Sequence, residues 1–144
     1  MRKAREVAAT SVAAFNAHDL EWLRSLYAAD AVLEAPGDVR LEGADAAVDY
    51  TKRWQQAFRD SYMRIVTEIV DGDRAALRFV IEGVHEDTLI GSLGDLPATH
   101  RRIALDGVML IRVAQGSIVE HTLWFDRARI ADQLGLAPEL VASA

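Results

Sequence analysis

Three segments in the second half of the chain alternate between apolar and polar residues, and this alternation constrains the fold more than any other feature. In the first segment the odd positions are Ala75, Leu77, Phe79, Ile81, Gly83 and His85. The second segment has Ile103, Leu105, Gly107, Met109, Ile111 and Val113, and the third has Val119, His121, Leu123 and Phe125. Because successive strand side chains point to opposite faces, each segment predicts a strand whose odd-numbered residues face the core.

Glycine-containing turns join these segments into two hairpins. Gly72 and Gly116 can supply the positive φ that tight hairpin turns need. The predicted strands span about residues 62–70, 74–85, 101–113 and 117–125. Between the hairpins lies a predicted loop of fifteen residues, 86–100, and loops of that length often cover a site.

Apolar residues at helical spacing dominate the first half of the chain. Helices are predicted over about residues 3–17 and 44–58, with a short helix between them that is capped by Asp19 and includes Tyr27. A short strand is predicted over 31–35, and a final helix is capped by Asp126 and ends at Gly135. This order predicts one α+β domain, residues 1–144. Three N-terminal helices pack on a curved, mixed or antiparallel sheet, and together they enclose a cone-shaped apolar pocket.

Charge and composition narrow the classes of function. The net charge is −6 without a basic run, so neither nucleic acid nor an anionic membrane is an expected partner. The sequence has no cysteine, which excludes disulfides and thiolate chemistry and fits a reducing compartment, so we expect a cytoplasmic protein. We expect neither a signal peptide nor a membrane-spanning segment, because no apolar run is long enough.

Two histidines fall on the inward face of the alternating strands. A neutral imidazole can donate and accept a proton near pH 7, so His85 and His121 are candidates for a catalytic acid–base pair. The alternative for each is a core histidine whose ring is satisfied by a backbone carbonyl. No His-x-His or His-x-x-x-His spacing is present, so we expect no metal site and no cofactor.

Other inward residues are candidates for substrate binding. The aromatic stripe on the third helix indicates either core packing or a pocket wall. Asp87 shares the parity of His85 if that strand continues far enough. The predicted substrate-binding residues are Tyr27, Tyr50, Trp54, Phe79, Asp87, Met109, Leu123 and Phe125.

Several phrases of the sequence resemble those of one known group of proteins. They are Gly83-Val84-His85, the run 96–101 (LPATHR), Ile118-Val119-Glu120-His121, and Asp126 followed by the run 132–136 (DQLGL). The resemblance covers about residues 7–136 and is to the SnoaL-like polyketide cyclases of the nuclear-transport-factor-two-like superfamily. It implies the same cone-shaped α+β fold around an apolar pocket.

The catalytic groups of these relatives do not recur at the matching positions. In ketosteroid isomerases, the resemblance places the catalytic tyrosine, aspartate and second acid at Ser11, Ala35 and Met109. In the polyketide cyclases, the acid–base aspartate and its histidine partner match Leu123 and Met109. In limonene-epoxide hydrolases, the Arg-x-Asp pair and a further aspartate match Gly83, His85 and Leu123. His85 alone keeps an ionisable side chain among these positions.

We therefore expect a SnoaL-like protein in which the usual catalytic acids are replaced. The first hypothesis is a cofactor-independent enzyme that performs cyclase-, isomerase- or dehydratase-type proton transfer on an apolar aromatic or polyketide-like molecule, with His85 and His121 as acid and base. Scytalone dehydratase offers a loose analogy, since it pairs inward histidines with tyrosines, here Tyr27 or Tyr50. The alternative is a non-catalytic domain that binds or senses a small molecule.

The outer face of the predicted sheet is more apolar than a solvated face should be. Large apolar surface patches usually mark interfaces, so we expect a homodimer formed through this face. The residues that create the patch are Val80, Val84, Val108, Leu110 and Trp124.

Overall fold

The computed structural model describes residues 2–91 and 94–136 of the chain. Its helices are α1 (Ala4–Asn16), α2 (Leu20–Ser25), α3 (Ala44–Ala57) and α4 (Arg127–Leu134). Its strands are β1 (Tyr27–Ala35), β2 (Val39–Glu42), β3 (Tyr62–Asp71), β4 (Arg74–Val84), β5 (Leu89–Gly91), β6 (Gly94–Leu96), β7 (Arg102–Ala114) and β8 (Ser117–Phe125). In this described part of the chain, no helix is long and apolar enough to cross a bilayer.

Six strands form one curved, open sheet in the order β2-β1-β8-β7-β4-β3. Neighbouring strands are antiparallel except β1 and β8, which run parallel, so the sheet is mixed. Helices α1 and α3 cover its inner face: α1 packs on β3, β4 and β7, and α3 packs on β1. The predicted α+β class and the curved mixed sheet are confirmed.

The predicted alternation of buried and exposed residues holds along the central strands. Odd positions of β4 and β7 are buried or half-buried, and they pair with one another, as Leu77 does with Met109. A bulge after Arg112 shifts the register of β8, so Ile118 is buried at the start of that strand, whereas Val119 is only half-buried. The inward position expected for Val119 is therefore wrong, but parity is correct from His121 onward.

Two local expectations from the sequence are wrong, and one strand was not predicted. Tyr27 begins β1 and does not lie in the second helix, which ends at Ser25. β2 was not predicted, because its four residues Val39–Glu42 carry two charges and lack a long apolar pattern. The expected loop 86–100 contains the two short antiparallel strands β5 and β6.

The buried apolar side chains form two clusters that α3 connects. The larger cluster lies between α1, α3 and the sheet, and includes Phe79 and Met109. The smaller one lies where α4 packs on β7, and includes Phe58 and Ile130. Trp54 of α3 packs against both clusters, so one aromatic residue links the two ends of the interior.

Candidate functional site

A buried tyrosine–histidine pair lies on the inner face of the sheet. Tyr27 is at the start of β1, and His121 is on β8, where it pairs with Leu33 of β1 and Ile111 of β7. The Tyr27 hydroxyl is 2.7 Å from Nδ1 of His121, and the two rings stack with centroids 6.0 Å apart. Both side chains are more than nine-tenths buried. Alternation predicts that His121 faces inward, and the parallel pairing of β1 with β8 supplies its partner.

Burial keeps both members of this pair neutral near pH 7. It lowers the pKa of His121 to about 4 and raises the pKa of Tyr27 above its usual range, because a charged form would lose its hydration. If the Tyr27 hydroxyl donates to Nδ1, only the Nε2 proton of His121 lacks a partner. If Nδ1 carried the proton and donated to the Tyr27 oxygen, both the Tyr27 hydroxyl proton and Nε2 would lack a partner. We therefore assign the imidazole proton to Nε2.

His85 is fully buried just beyond the end of β4, and its neighbours explain its position. Its Nδ1 accepts from the Thr99 hydroxyl at 3.0 Å and the Thr99 amide at 3.2 Å. Its ring stacks on Phe58 at 5.1 Å, and Phe58 in turn stacks on Trp54 at 4.3 Å. Burial lowers the pKa of His85, while backbone groups of Leu96 and Asp87 partly oppose this shift. Its side chain therefore fastens β4 to the residues that precede β7.

The structure does not bring the two predicted catalytic histidines together. The backbone N–H of His85 donates to the carbonyl of Arg101, just before β7 begins. His121 pairs with Ile111, near the other end of β7. Positions 101 and 111 are ten residues apart, which corresponds to roughly 33 Å along an extended strand. Both histidines share a face of the sheet, but they lie at its opposite ends. A direct acid–base pair of His85 and His121 is therefore not formed.

Most of the predicted substrate-binding residues pack on one another. Phe79 and Met109 are buried in the larger cluster, with Tyr50, Trp54 and Leu123 half-buried against it, and Phe125 packs against the smaller cluster. The Phe79 ring occupies the space over Gly107, where an added Cβ would lie 2.4 Å from Cζ. These contacts show that Phe79, which was predicted to bind substrate, packs in the core. Burial also raises the pKa of Tyr50 to about 12, an effect that nearby Arg127 opposes.

Asp87 lies outside the apolar interior. β4 ends at Val84, and the next backbone amides, of Glu86 and Asp87, turn to the carbonyl of Ala57 at the end of α3. The exposed Asp87 carboxylate pairs with Arg59 at 2.7 Å, and this bond lowers its pKa. Its expected inward orientation is wrong, because the strand does not continue to this residue.

Asp87 instead lines a polar groove with a cavity volume of about 530 Å³. The groove lies between the C-terminal end of α3, the segment that leads into and includes β5, and the turn that follows α1. Its lining is His18, Gln55, Gln56, Arg59, Asp87, Thr88 and Ile90. Sequence reasoning did not single out His18, Gln55 or Arg59, because the groove joins segments that are far apart in the sequence.

Four buried side-chain polar atoms have no hydrogen-bond partner among the described residues. They are Trp54 Nε1, Ser61 Oγ, His85 Nε2 and His121 Nε2. An unpaired buried donor or acceptor costs about 1–3 kcal/mol, so such atoms are uncommon away from functional sites. Three of the four belong to predicted site residues. The described residues contain no cluster of three potential metal ligands.

The signature phrases at the end of the chain have structural roles. Asp126 caps α4 by accepting from the Ala128 amide at 2.9 Å, so the N-cap interpretation is confirmed. The Gln133 side-chain oxygen accepts from the Ala104 amide at 2.7 Å, and its nitrogen donates to the Ala104 carbonyl at 2.9 Å. At this position β7 is not paired with β8. Gly135 ends α4 with a φ of 70° beneath the Arg101 guanidinium.

A family model for the SnoaL-like polyketide cyclases matches residues 5–134. The chain belongs to the SnoaL-like polyketide cyclase family. The match covers α1 through the end of α4, including the sheet that carries the Tyr27–His121 pair. Within this family, the fold is the cone of the nuclear-transport-factor-two-like superfamily.

Solved structures of this fold cover nearly the whole chain. IdmH from Streptomyces antibioticus, provisionally assigned as a polyketide cyclase, is 29% identical with a TM-score of 0.78, over 94% of this chain and 100% of its own. AclR from Streptomyces galilaeus, provisionally assigned as a hydroxylase, is 23% identical with a TM-score of 0.79, over 92% and 95%. A SnoaL-like protein from Jannaschia sp. CCS1 is 15% identical with a TM-score of 0.83, over 94% and 93%. A search of curated protein sequences gives no significant match.

Proposed function

We propose that this member of the SnoaL-like family is a cofactor-independent enzyme that promotes proton transfer on a small apolar molecule of aromatic or polyketide type. The observation that carries the proposal is the buried hydrogen bond between Tyr27 and His121, with His121 Nε2 left unpaired. Because Nε2 is buried, a ligand atom can bind it only when the side chains around it move.

The position of this pair on the sheet supports a catalytic role. The resemblance assigns the acid–base aspartate and histidine of the cyclases to Leu123 and Met109, which pair with each other across β8 and β7. The next inward pair along the same strands is His121 with Ile111. The polar group of this chain is therefore displaced by two residues along β8 from the position in the relatives, and it stays on the same face.

The neutrality of His121 determines what chemistry it can perform. With a pKa of about 4, the imidazole is a poor base at pH 7, but its Nε2 proton can be donated in a hydrogen bond to a carbonyl oxygen. Such a donor stabilises negative charge that develops on that oxygen when the adjacent carbon loses a proton to water. Tyr27 holds the ring and supports proton donation through Nδ1. The role of His85, in this proposal, is to position the residues before β7.

A binding or sensing domain is the second candidate function, and one observation favours it. The buried polar residues among those described are Ser11, Gln55, Ser61, His85 and His121, and none is a carboxylate. The interior therefore lacks the strong base that most proton-transfer enzymes place there. Under this alternative the unpaired donor of His121 would bind a ligand oxygen without turnover.

The experiment is hydrogen–deuterium exchange into aromatic ketones of one to four rings, followed in deuterated buffer by mass spectrometry. The enzyme proposal predicts that the protein accelerates exchange at the carbon next to the carbonyl. His121→Gln should reduce this acceleration by about 10²-fold or more, the usual contribution of a positioned proton donor. Tyr27→Phe should reduce it less, and exposed His100→Gln should leave it unchanged. A ketone that binds without accelerated exchange would establish the binding alternative and refute the enzyme.

A further inference from the structure

The polar groove beside α3 is a second site, separate from the Tyr27–His121 pair, and the side chains of His18, Gln55, Arg59 and Asp87 in it are held by hydrogen bonds within the protein. Its volume of about 530 Å³ is within the range of small-molecule sites. Neither Tyr27 nor His121 lines this groove. The two sites can therefore be tested independently.

Hydrogen bonds to backbone carbonyls orient two acceptors of this groove. A carbonyl oxygen can only accept, so the contact of 2.8 Å between His18 Nε2 and the Ser61 oxygen requires a proton on Nε2. In the neutral ring, Nδ1 is then an acceptor. In the same way, Gln55 donates its amide nitrogen to the Phe15 carbonyl at 2.9 Å, which leaves the amide oxygen as the remaining polar atom.

An ion pair supplies the charged groups of the groove. Arg59 and Asp87 are joined at 2.7 Å, and the second carboxylate oxygen accepts from the Thr88 amide at 2.8 Å. The guanidinium keeps spare N–H donors, and each carboxylate oxygen keeps a spare lone pair. The formal charges of Arg59 and Asp87 cancel. Gln56 adds a further amide, and the half-exposed Ile90 adds an apolar wall.

This combination favours a specific chemistry of ligand. Neutral charge disfavours anions and cations alike, because either would disturb the Arg59–Asp87 pair. Acceptors next to donors suit hydroxyl groups, since each hydroxyl can donate to one side chain and accept from another. The C–H face of a polyol ring fits against an apolar wall. We propose that the groove binds a neutral polyhydroxylated molecule the size of a monosaccharide, either free or as a substituent of a larger compound.

The experiment measures binding to the full-length protein by saturation-transfer NMR and isothermal titration. The probes are methyl glucopyranoside and myo-inositol, with 4-nitrophenyl glucopyranoside to reveal whether an attached aromatic group strengthens binding. Glucose 6-phosphate tests for selection of an anion, and cyclohexanol tests for an apolar preference. We expect the neutral polyols to bind and both comparison compounds to bind at least tenfold more weakly.

Two variants locate the binding. Gln56→Ala removes an exposed amide without disturbing any buried contact, and Arg59→Met removes the donors of the ion pair. Each should weaken polyol binding about tenfold, the effect of one well-placed hydrogen bond to a polar ligand. Lys52→Ala, one turn earlier on α3 and outside the groove, is the matched control. An unchanged melting temperature for Gln56→Ala shows that the fold is intact.

Three results would overturn the proposal: no polyol binds, glucose 6-phosphate or cyclohexanol binds equally well, or the Gln56 and Arg59 variants bind like the Lys52 control. Loss of ketone exchange in His121→Gln with normal polyol binding would support the proposed enzyme and leave the groove assignment unchanged. The two proposals therefore fail separately.

Discussion

At the scale of single residues, burial determines the protonation of the candidate site. The unfolded chain binds a proton at His121 below about pH 6.5, whereas the folded protein binds it only below about 4. Between these values the unfolded state holds more protons, so stability falls as pH falls. Above pH 6.5 the imidazole is neutral in both states, so burial of His121 costs no stability through protonation. By pH 4 the free energy of unfolding has fallen by about 3 kcal/mol through this group.

This linkage predicts the effect of a substitution. In His121→Gln, the part of the pH dependence that lies between 6.5 and 4 should be missing, so urea unfolding should give a flatter curve of stability against pH than the wild type. Gln56→Ala, which replaces an exposed residue that does not ionise, should keep the wild-type curve. A His121→Gln curve that is as steep as the wild type would show that the buried imidazole does not titrate in this way.

A second residue-scale prediction concerns the contact between Phe79 and Gly107. Gly107→Ala should destabilise the protein by about 1–3 kcal/mol, because the new methyl group would lie 2.4 Å from the Phe79 ring. Phe79→Leu should recover part of that loss in the double variant, although it costs stability alone. Denaturant unfolding of the four proteins forms a double-mutant cycle. Additive losses would mean that the two residues do not compete for one space.

At the scale of elements, regular alternation was predictable from the sequence and long-range register was not. The period of two in β4, β7 and β8 identified their inward faces, because the alternation of apolar and polar side chains indicates which face of a strand is buried. The distance between His85 and His121 depends on how β4 pairs with β7, which are joined by a long connection and not by a tight turn. The parallel contact of β1 with β8, which brings Tyr27 to His121, is equally non-local. The polar groove also escaped prediction, since its side chains come from three separate segments.

The contact between α4 and β7 gives the prediction for this scale. Gln133→Ala should expose the amide of Ala104, which β8 no longer covers, and should speed its hydrogen exchange. The loss of stability should be about 1 kcal/mol, because water can replace part of the bond at this exposed place. Asp132→Asn, on the neighbouring exposed position, should leave exchange of Ala104 unchanged. Unchanged exchange in Gln133→Ala would show that the Gln133 side chain does not protect the backbone amide of Ala104.

At the scale of the whole molecule, the outer face of the sheet remains uncovered by the described helices. Trp124 is 51% exposed and Val108 39% exposed, and a shallow hollow of about 340 Å³ lies beside them. Arg78 and Asp106 lie across neighbouring strands of the same face, 3.9 Å apart. A face with apolar residues and charges of both signs can match a second copy of itself about a two-fold axis, so we propose a homodimer formed there.

The expected result is a dimer in multi-angle light scattering at micromolar concentration. Trp124→Glu should shift the protein to the monomer, because two copies of a carboxylate would then be buried near each other in the interface without partners. Trp22→Glu is the control, since Trp22 is similarly exposed, at 40%, but lies on α2 away from the sheet. The monomeric variant should keep its fold, because the outer position of Trp124 contributes little to the inner core. A wild-type monomer, or dissociation caused equally by Trp22→Glu, would contradict an interface on this face.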